Sequence, residues 1–357
     1  MKHLNQFLGV CLLSACIAGC TNEEFVNPAE RAEPTTRASA EDYPTSGING
    51  MFGFAAVSNV TTGGTGGEVV YVYNETQLSA QLSGSDKRIV VVAANISTSG
   101  KTQINLGSNK SIIGSYAAHT LHNIYLRATS STENMIFQNL TFSHDASIND
   151  NDDIQLYLHY GRGYWIDHCT FSGHSYDANG SDLDKLLYIG GEKADYITIS
   201  QCKFMNHRYG LILGYPDDGY QGSYDSYPRL SMFNNYFDNV YTRAPGLMRY
   251  GHFHIKNNYV CHFHLGFTIA QNARIYSEGN YFEGGNYSGT ILDDKANGSF
   301  TDVGSYPTVT GQSSPATSFN PADSYSGYRV ETPEYAKSFA TNWAGSQSSS
   351  STWVFGY

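Results

Sequence analysis

Short segments in which apolar and polar residues alternate recur along the middle of the chain. Six of them read MIFQNLTF, WIDHCTF, ITISQCKF, LSMFNNYF, FHIKNNYV and IYSEGNYF, and they end at positions 142, 171, 204, 237, 260 and 282. The spacings between these ends are 29, 33, 33, 23 and 22 residues. Alternation with a period of two, in segments rich in β-branched and aromatic residues, predicts β-strands with one buried face.

The repeat also predicts how these strands are arranged. A period of roughly 20 to 50 residues indicates stacked supersecondary units. Because helical patterns are almost absent, we predict an all-β protein, a right-handed single-stranded parallel β-helix with the hand of parallel crossovers in general. Asn139, Asn234 and Asn257 fall at equivalent turns, where asparagine tolerates left-handed backbone. A β-propeller, whose blades need about 40 to 45 residues, fits the spacings less well.

The N-terminus predicts an export signal followed by a tether. An apolar run ending at Ala18 is too short for a stable membrane-spanning helix. Small residues directly before Cys20 resemble a bacterial lipobox, so we expect 1–19 to be removed and Cys20 to carry lipid. An ordinary secretory signal with a chance cysteine is the alternative. The polar segment 20–44 is predicted to be flexible.

The remainder divides into the β-helix, 45–300, and a C-terminal extension, 301–357, which we expect to pack on the coils. In the extension, Thr332 followed by proline predicts the start of a helix that runs to Trp343. Only three cysteines follow Cys20, and we predict no disulfide framework in a chain of this length.

Composition narrows the class of protein further. Of 357 residues, 15% are charged and 14% are aromatic, and the formal net charge is -11. Coiled coils and helical bundles need more charge than this on their solvent faces, and the aromatic content excludes a disordered chain. The acidic balance argues against nucleic acid as a partner, because phosphate contacts need a basic surface. Stacked coils bury one face of every strand, which accounts for the scarcity of charge.

Carboxylates and histidines supply the candidates for a metal site. Asp150 and Asp152 precede a short apolar strand, and carboxylates two residues apart in extended chain share a face, which suits Ca²⁺. Acidic residues also crowd turns for backbone reasons, and that alternative stays open. The pairs His252/His254 and His262/His264 raise the alternative of a Zn²⁺ site, although stacked polar side chains are the plainer explanation.

A second pattern places two arginines around a rigid turn. Arg243 and Arg249 flank Pro245, and paired arginines on an acidic chain are suited to binding carboxylate, although two surface arginines are the plainer interpretation. The glycine-rich segment 63–67 lacks the lysine and hydroxyl ending of a phosphate-binding loop. We interpret that segment as a tight turn into the first strand.

Several motifs occur in one order along the chain. They are GFA at 53–55, TGGTGG at 62–67, NKSIIG at 109–114, WIDH at 165–168, DKLLYI at 184–189, ITIS at 197–200, RAP at 243–245 and HIKNNY at 254–259. Over residues 53–285 the chain thereby resembles the pectate lyase superfamily of polysaccharide lyases, of the family-one type. The resemblance implies cleavage of polygalacturonate by β-elimination, with an arginine as the base that removes the C5 proton and Ca²⁺ on the uronate carboxylate.

The resemblance also implies roles for individual residues. Arg243 matches the family's base and Arg249 its second, substrate-binding arginine, with one more residue than usual between proline and arginine. Three acidic positions match its calcium ligands: Asp150, Asp152 and Asp184. Where calcium-dependent members carry a further aspartate this chain has Tyr188, and where they carry a substrate-binding lysine it has Arg208.

We therefore expect a pectate lyase that binds Ca²⁺ and acts on homogalacturonan as a monomer. We expect it to be an exported lipoprotein at the bacterial outer membrane or cell surface, in contact with the membrane only through the lipid on Cys20. A metal-independent pectin lyase that acts on methyl-esterified chains is the first alternative. A glycan-binding β-helix without catalytic activity is the second, because a fold does not dictate a function.

Overall fold

The computed structural model describes residues 42–174, 183–215, 222–284 and 289–356. The predicted signal sequence and the lipid site at Cys20 lie outside the described residues. No helix within these ranges is long and apolar enough to cross a membrane.

The described ranges contain strands in almost every part and two α-helices. The first eleven strands are β1 (Glu68–Val72), β2 (Arg88–Val92), β3 (Ile96–Asn105), β4 (Lys110–Gly114), β5 (Thr120–Arg127), β6 (Met135–Gln138), β7 (Thr141–Ser143), β8 (Leu156–Asp167), β9 (Thr170–Ser172), β10 (Leu187–Ser200) and β11 (Lys203–Tyr209). The next are β12 (Leu211–Leu213), β13 (Arg229–Phe233), β14 (Tyr236–Thr242), β15 (Leu247–Met248), β16 (His252–Lys256), β17 (Tyr259–Cys261), β18 (Leu265–Ile269), β19 (Arg274–Glu278), β20 (Tyr281–Glu283), β21 (Thr290–Asp294) and β22 (Ser299–Val303). The helices are α1 (Glu75–Leu82) and α2 (Pro333–Trp343).

These strands form three parallel sheets that wind around one interior. The first sheet pairs β1, β2, β4, β6, β8, β10, β13, β16, β19 and β22 in that order. The second pairs β3, β5, β7, β9, β11, β14, β17 and β20, and the third pairs β3, β5, β8, β10, β12, β15, β18 and β21. Long strands such as β8 and β10 bend and contribute to two sheets. Successive strands visit the three sheets in turn, which confirms the predicted parallel β-helix.

The ends of the repeated segments stack on one another inside the coil. Phe142, Phe171, Phe204 and Phe237 are buried, and their successive ring centroids lie 4.9, 5.0 and 4.8 Å apart. Offset-stacked aromatic pairs stabilise a core beyond the area that they bury. The repeated segments in the sequence therefore correspond to successive coils, whose buried ends stack on one another in the core.

Asparagines mark the turn after the first sheet. Asn139, Asn234 and Asn257 have φ angles of 56°, 55° and 51°, as the sequence predicts. Left-handed backbone costs asparagine less than most residues.

A buried ladder of amides runs beside these turns. The Nδ2 group of Asn235 donates to Asn258 Oδ1 at 2.8 Å, and Asn258 Nδ2 donates to Asn280 Oδ1 at 2.9 Å. All three side chains are fully buried, so these bonds satisfy amides that would otherwise be costly to bury.

The two helices cover apolar surface of the coil. In α1, Leu78 and Leu82 are buried against the first coils. The predicted C-terminal helix is present as α2, and the Thr332 hydroxyl accepts the Tyr335 N–H at 3.2 Å as its cap. Ala340 of α2 packs against Tyr259.

Other parts of the C-terminal segment cover the outer face of the first sheet. The Tyr325 hydroxyl hydrogen-bonds to Ser231 Oγ at 2.7 Å and to His254 Nδ1 at 2.6 Å.

The glycine-rich segment near the N-terminus is a tight turn that leads into β1, as predicted. At Gly64, a Cβ atom would lie 1.8 Å from the Arg88 carbonyl oxygen.

Candidate active site

A groove follows the outer face of the third sheet and the turns that enter it. Its larger part, about 420 Å³, is lined by Tyr209, Arg243, Arg249 and residues of β18 and β21. An adjoining part of about 220 Å³ shares these three side chains and adds Asn151 and Lys185. The structure therefore brings Arg243 and Arg249, both predicted from the sequence, into one site.

Arg243 is held on a strained turn between β14 and β15. Its φ angle is 62°, a conformation that costs an arginine free energy and is concentrated at functional sites in proteins. The Leu211 N–H donates to the Arg243 carbonyl oxygen at 3.2 Å. Gly210 makes this approach feasible, because a Cβ atom there would lie 2.3 Å from the same oxygen. The backbone at this turn therefore fixes the position from which the Arg243 side chain extends.

Arg249 is buried, with 5% of its surface exposed. Its Nη1 atom donates to the Tyr215 carbonyl oxygen at 3.0 Å. This bond fixes one side of the guanidinium beside the groove. The extra residue after Pro245 does not remove Arg249 from the site.

Arg208 takes a different position from the other two arginines. It is half-buried on β11, with its guanidinium 5.1 Å from the centre of the Tyr209 ring. It is not among the described residues that line the two parts of the groove. Its proposed contact with substrate is therefore less direct than that of Arg243 or Arg249.

The sequence interpretation missed Tyr209, which lines both parts of the groove. Arg243 lies 5.0 Å from its ring centre and Lys185 lies 5.7 Å away. Aromatic faces attract cations, so this ring is a shared surface for the charges that border the groove. The only signal in the sequence was its place next to Arg208.

Lys185 is the second residue that the sequence interpretation missed. It is 5% exposed, and its Nζ donates to the Asn151 carbonyl oxygen at 3.2 Å, to Asn151 Oδ1 and to the Leu183 carbonyl oxygen. Burial, and then the Arg243 charge, lower the pKa of the Lys185 ammonium to about 8. A second cation is thus fixed beside Arg243.

Asp184, one of the three predicted calcium ligands, is fully buried. Its two oxygens lie 2.6 Å from His144 Nε2 and 2.8 Å from His207 Nε2. Burial opposes ionisation of this carboxyl group, but the contacts with His144 and His207 overcome that effect and hold its pKa at about 2. Both oxygens are therefore engaged by histidines.

The other two predicted ligands, Asp150 and Asp152, are exposed on the turn before β8. The structure does not bring them together with Asp184. Among the described residues, ligand atoms of three or more His, Cys, Asp or Glu side chains come within 4.8 Å of one another only at Asp238, Cys261 and His262.

Tyr188 occupies the position where the resemblance implies another acidic ligand. Its ring is 2% exposed and stacks on Tyr157 at 4.2 Å, and the Arg127 guanidinium lies 4.2 Å from the other ring. Burial raises the pKa of the Tyr188 phenol far above its usual range, so this position offers no anionic ligand. With Asp184 engaged and Lys185 in place, the donor set does not fit Ca²⁺.

The histidine pairs do not form a zinc site in the described part of the chain. His254 is bonded to Tyr325 and, at 2.7 Å, to Glu278. His262 joins Asp238 and Cys261 near α2, outside the described lining of the groove. Burial and the Asp238 charge raise the pKa of the Cys261 thiol to about 12, which keeps it protonated.

Comparisons with known proteins point to one family. The sequence profile of a family described as pectate lyase matches residues 13–349. The chain is 56% identical to a pectin lyase of Bacillus subtilis over 91% of this chain and 95% of the relative, and 52% identical to a pectin lyase of Pectobacterium carotovorum over 86% and 98%. The crystal structure of pectate lyase Bsp165PelA from Bacillus sp. N165 in complex with trigalacturonate is similar, with a TM-score of 0.68, 25% identity, and coverage of 83% of this chain and 98% of that chain.

Proposed function

This chain belongs to the pectate lyase family, and on that premise we propose that it cleaves the α-1,4-galacturonan backbone of pectin by β-elimination. The products carry 4,5-unsaturated galacturonate ends. Three curated relatives that are 50 to 56% identical to it over the aligned residues are pectin lyases, and the similar crystal structure holds trigalacturonate. The observation that carries the proposal is the convergence of Arg243, Arg249 and Lys185 on one groove of an acidic protein.

The reaction begins with removal of the proton at C5, next to the uronate carboxyl group. Arg243 is proposed as the base that takes this proton. The C5–H electron pair forms the C4–C5 double bond, the C4–O bond breaks, and the departing glycosidic oxygen takes a proton from solvent. Charge that develops on the carboxyl oxygens is stabilised by Arg249, because a fixed cation stabilises such charge without having to reorganise.

An arginine is protonated under ordinary conditions, so the site must favour loss of one proton. Lys185 and Arg243 repel each other, and like charges at short range disfavour full protonation of a pair. The Lys185 ammonium is held by three oxygens. Those contacts hold the Lys185 charge in place beside Arg243.

A methyl-esterified substrate is the second candidate, and one specific observation favours it over free polygalacturonate. The donor set does not fit Ca²⁺, which would otherwise neutralise a uronate carboxylate. A methyl ester is already neutral and accepts charge from C5 more readily than a carboxylate does. The names of the relatives point the same way. We therefore place methyl-esterified pectin ahead of polygalacturonate, which the sequence alone favoured.

One assay tests both the activity and the substrate. The purified protein is incubated with polygalacturonate and with highly methylated pectin, each with and without chelator, while the ultraviolet absorbance of the unsaturated product is followed. Absorbance that grows faster on methylated pectin and ignores the chelator supports the proposal. Cleavage that stops with chelator would restore the calcium-dependent alternative. No absorbance on either substrate would leave a glycan-binding protein without catalysis.

Export and lipid attachment at Cys20 remain part of the proposal. They are supported by the apolar run that ends at Ala18 and by the small residues before the cysteine. A Cys20→Ser variant that still partitions into detergent with the membrane fraction would contradict the lipid anchor. Size-exclusion chromatography of the soluble form tests the expected monomer.

A further inference from the structure

The Lys185 ammonium lies in a cage of oxygen atoms beside the groove. The three oxygens are the Asn151 carbonyl oxygen, Asn151 Oδ1 and the Leu183 carbonyl oxygen. An ammonium has three N–H donors and no acceptor, so the cage uses its full donor capacity. Because Lys185 is 5% exposed, the charge is held by protein oxygens with little help from water.

These oxygens are of the type that hard divalent cations bind. Backbone and amide carbonyl oxygens are common calcium ligands, alongside carboxylates. Two of the three belong to Asn151, which lies between the two acidic residues that the resemblance assigns to calcium. The negative charge of Asp152 also acts on Lys185. Oxygen ligands suited to a metal ion are therefore present at the turn between Asp150 and Asp152, and the Lys185 ammonium occupies the space between them.

We propose that Lys185 is the resident cation of the groove and takes the place of a divalent metal ion. As a positioning residue, it holds the Asn151 turn against the start of β10 and keeps a positive charge next to Arg243. Its catalytic consequence rests on the proposed lyase function, whereas its metal-binding consequence does not. Removal of the ammonium converts the cage into a site that Ca²⁺ enters.

A matched control is available in a lysine of β3 that contacts the same turn. Lys101 is paired with Asp153, two residues after Asn151, and it is not among the described residues that line the groove. A Lys101→Ala variant therefore removes the same charge from beside the turn without opening the cage.

The first measurement is metal binding without substrate, read by tyrosine-sensitised terbium luminescence. Tyr209, whose ring centre lies 5.7 Å from the Lys185 ammonium, serves as the donor. We expect Lys185→Ala to bind terbium saturably and to release it to Ca²⁺ in the range of about 0.1 to 1 mM. The wild type and Lys101→Ala should show no such site. Equal terbium binding by the wild type and Lys185→Ala would overturn the proposal.

The second measurement is activity. With chelator, we expect kcat/KM of Lys185→Ala to fall about tenfold or more, as when support around a metal centre is lost, and to recover when Ca²⁺ is added. Lys185→Arg should retain chelator-insensitive activity. Full activity of Lys185→Ala in chelator, or a folded variant that Ca²⁺ neither binds nor rescues, would overturn the proposal. If circular dichroism shows Lys185→Ala unfolded, Lys185→Gln replaces it in both assays.

The two measurements separate this inference from the proposed function. A protein that cleaves neither pectin would remove the lyase proposal. The terbium comparison between the wild type and the Lys185 variants would still decide whether the cage is a cation site.

Discussion

Single side chains concentrate positive charge on one face of a protein whose formal net charge is -11. Arg243 and Lys185 approach the same tyrosine ring from different coils. Arg249 is fixed by a backbone carbonyl. Each cation is held by backbone or aromatic contacts of the coil, so the site is organised before any substrate arrives, which is how an enzyme avoids reorganisation during the reaction.

Replacement of Arg243 tests the proposed base. We expect Arg243→Lys to lower kcat by about 100-fold or more, since the loss of a positioned general base has effects of this size, without a change in melting temperature. Arg162→Gln is the control, because Arg162 packs over Tyr196 away from the groove. Steady-state kinetics on methylated pectin provide the measurement. An Arg243→Lys enzyme with full activity would show that another group removes the proton.

His159 predicts how stability depends on pH. Burial, and then the Arg127 charge, lower the pKa of this imidazole from 6.5 to about 4. Between these values the unfolded chain binds a proton that the folded chain does not, so the free energy of unfolding decreases as the pH falls from 6.5 to about 4. His159→Gln should flatten that decrease.

Urea unfolding at several pH values within this window measures the effect on stability. Ser130→Ala serves as the control, because Ser130 is exposed and carries no titratable group. Parallel pH profiles for the wild type and His159→Gln would contradict the assignment.

Part of the site could be predicted from single residues and part could not. Arg243 and Arg249 stand out in the sequence because they flank a proline in a chain that is poor in charge. Asp184 and Lys185 are neighbours, and adjacent residues in extended chain point to opposite faces. Which of the two faces the groove depends on one residue of register. The structure turns the acid inward to His144 and leaves the lysine outward.

At the scale of secondary-structure elements, the phenylalanine stack controls the vertical order of the coils. Phe204 lies between Phe171 and Phe237 with ring spacings of 5.0 and 4.8 Å. We expect Phe204→Ala to destabilise the protein by about 3 to 5 kcal/mol, as is typical for a buried phenylalanine. Phe204→Leu, which refills most of the volume, should cost less than half as much.

Denaturant unfolding monitored by tryptophan fluorescence measures these two variants. A Phe204→Ala protein as stable as the wild type would show that the stack contributes little. Equal losses for alanine and leucine would assign the effect to ring stacking alone and not to the cavity.

The strands themselves were largely predictable, because apolar alternation and asparagine turns are local properties. The bends of the long strands were not. In β8 the chain passes from the third sheet to the first through Gly161 and Gly163, whose φ angles are 83° and 78°. Glycine adopts this backbone at little cost, so the strand turns a corner without the polar turn that marks corners elsewhere.

At the scale of the whole molecule, a groove lined by Arg243, Arg249 and Lys185 belongs to a protein with a formal net charge of -11. Free polygalacturonate is drawn to the groove but repelled by the remaining surface, and salt screens both effects over about 10 Å at 0.1 M. Highly methylated pectin carries little charge, so its binding to the groove depends little on salt concentration. The ionic strength dependence of KM therefore depends on the substrate.

We expect KM for polygalacturonate to rise with added sodium chloride, because direct contacts with Arg249 and its neighbours lie within the groove. KM for highly methylated pectin should stay nearly constant. Initial rates at several salt concentrations on both substrates provide the measurement. A fall in KM for polygalacturonate would show that repulsion by the acidic surface outweighs attraction by the groove.

The stacked coils have one more consequence, which concerns how the molecule comes apart. Each coil is paired only with the coil before it and the coil after it, so local opening starts at the two ends and moves inward, as in other quasi-one-dimensional proteins. At the N-terminal end, Leu78 and Leu82 of α1 cover the apolar interior of the first coils. Arg243, Arg249 and Lys185 lie on coils that have neighbours on both sides. On heating, the terminal coils therefore open before the coils that carry these three cations.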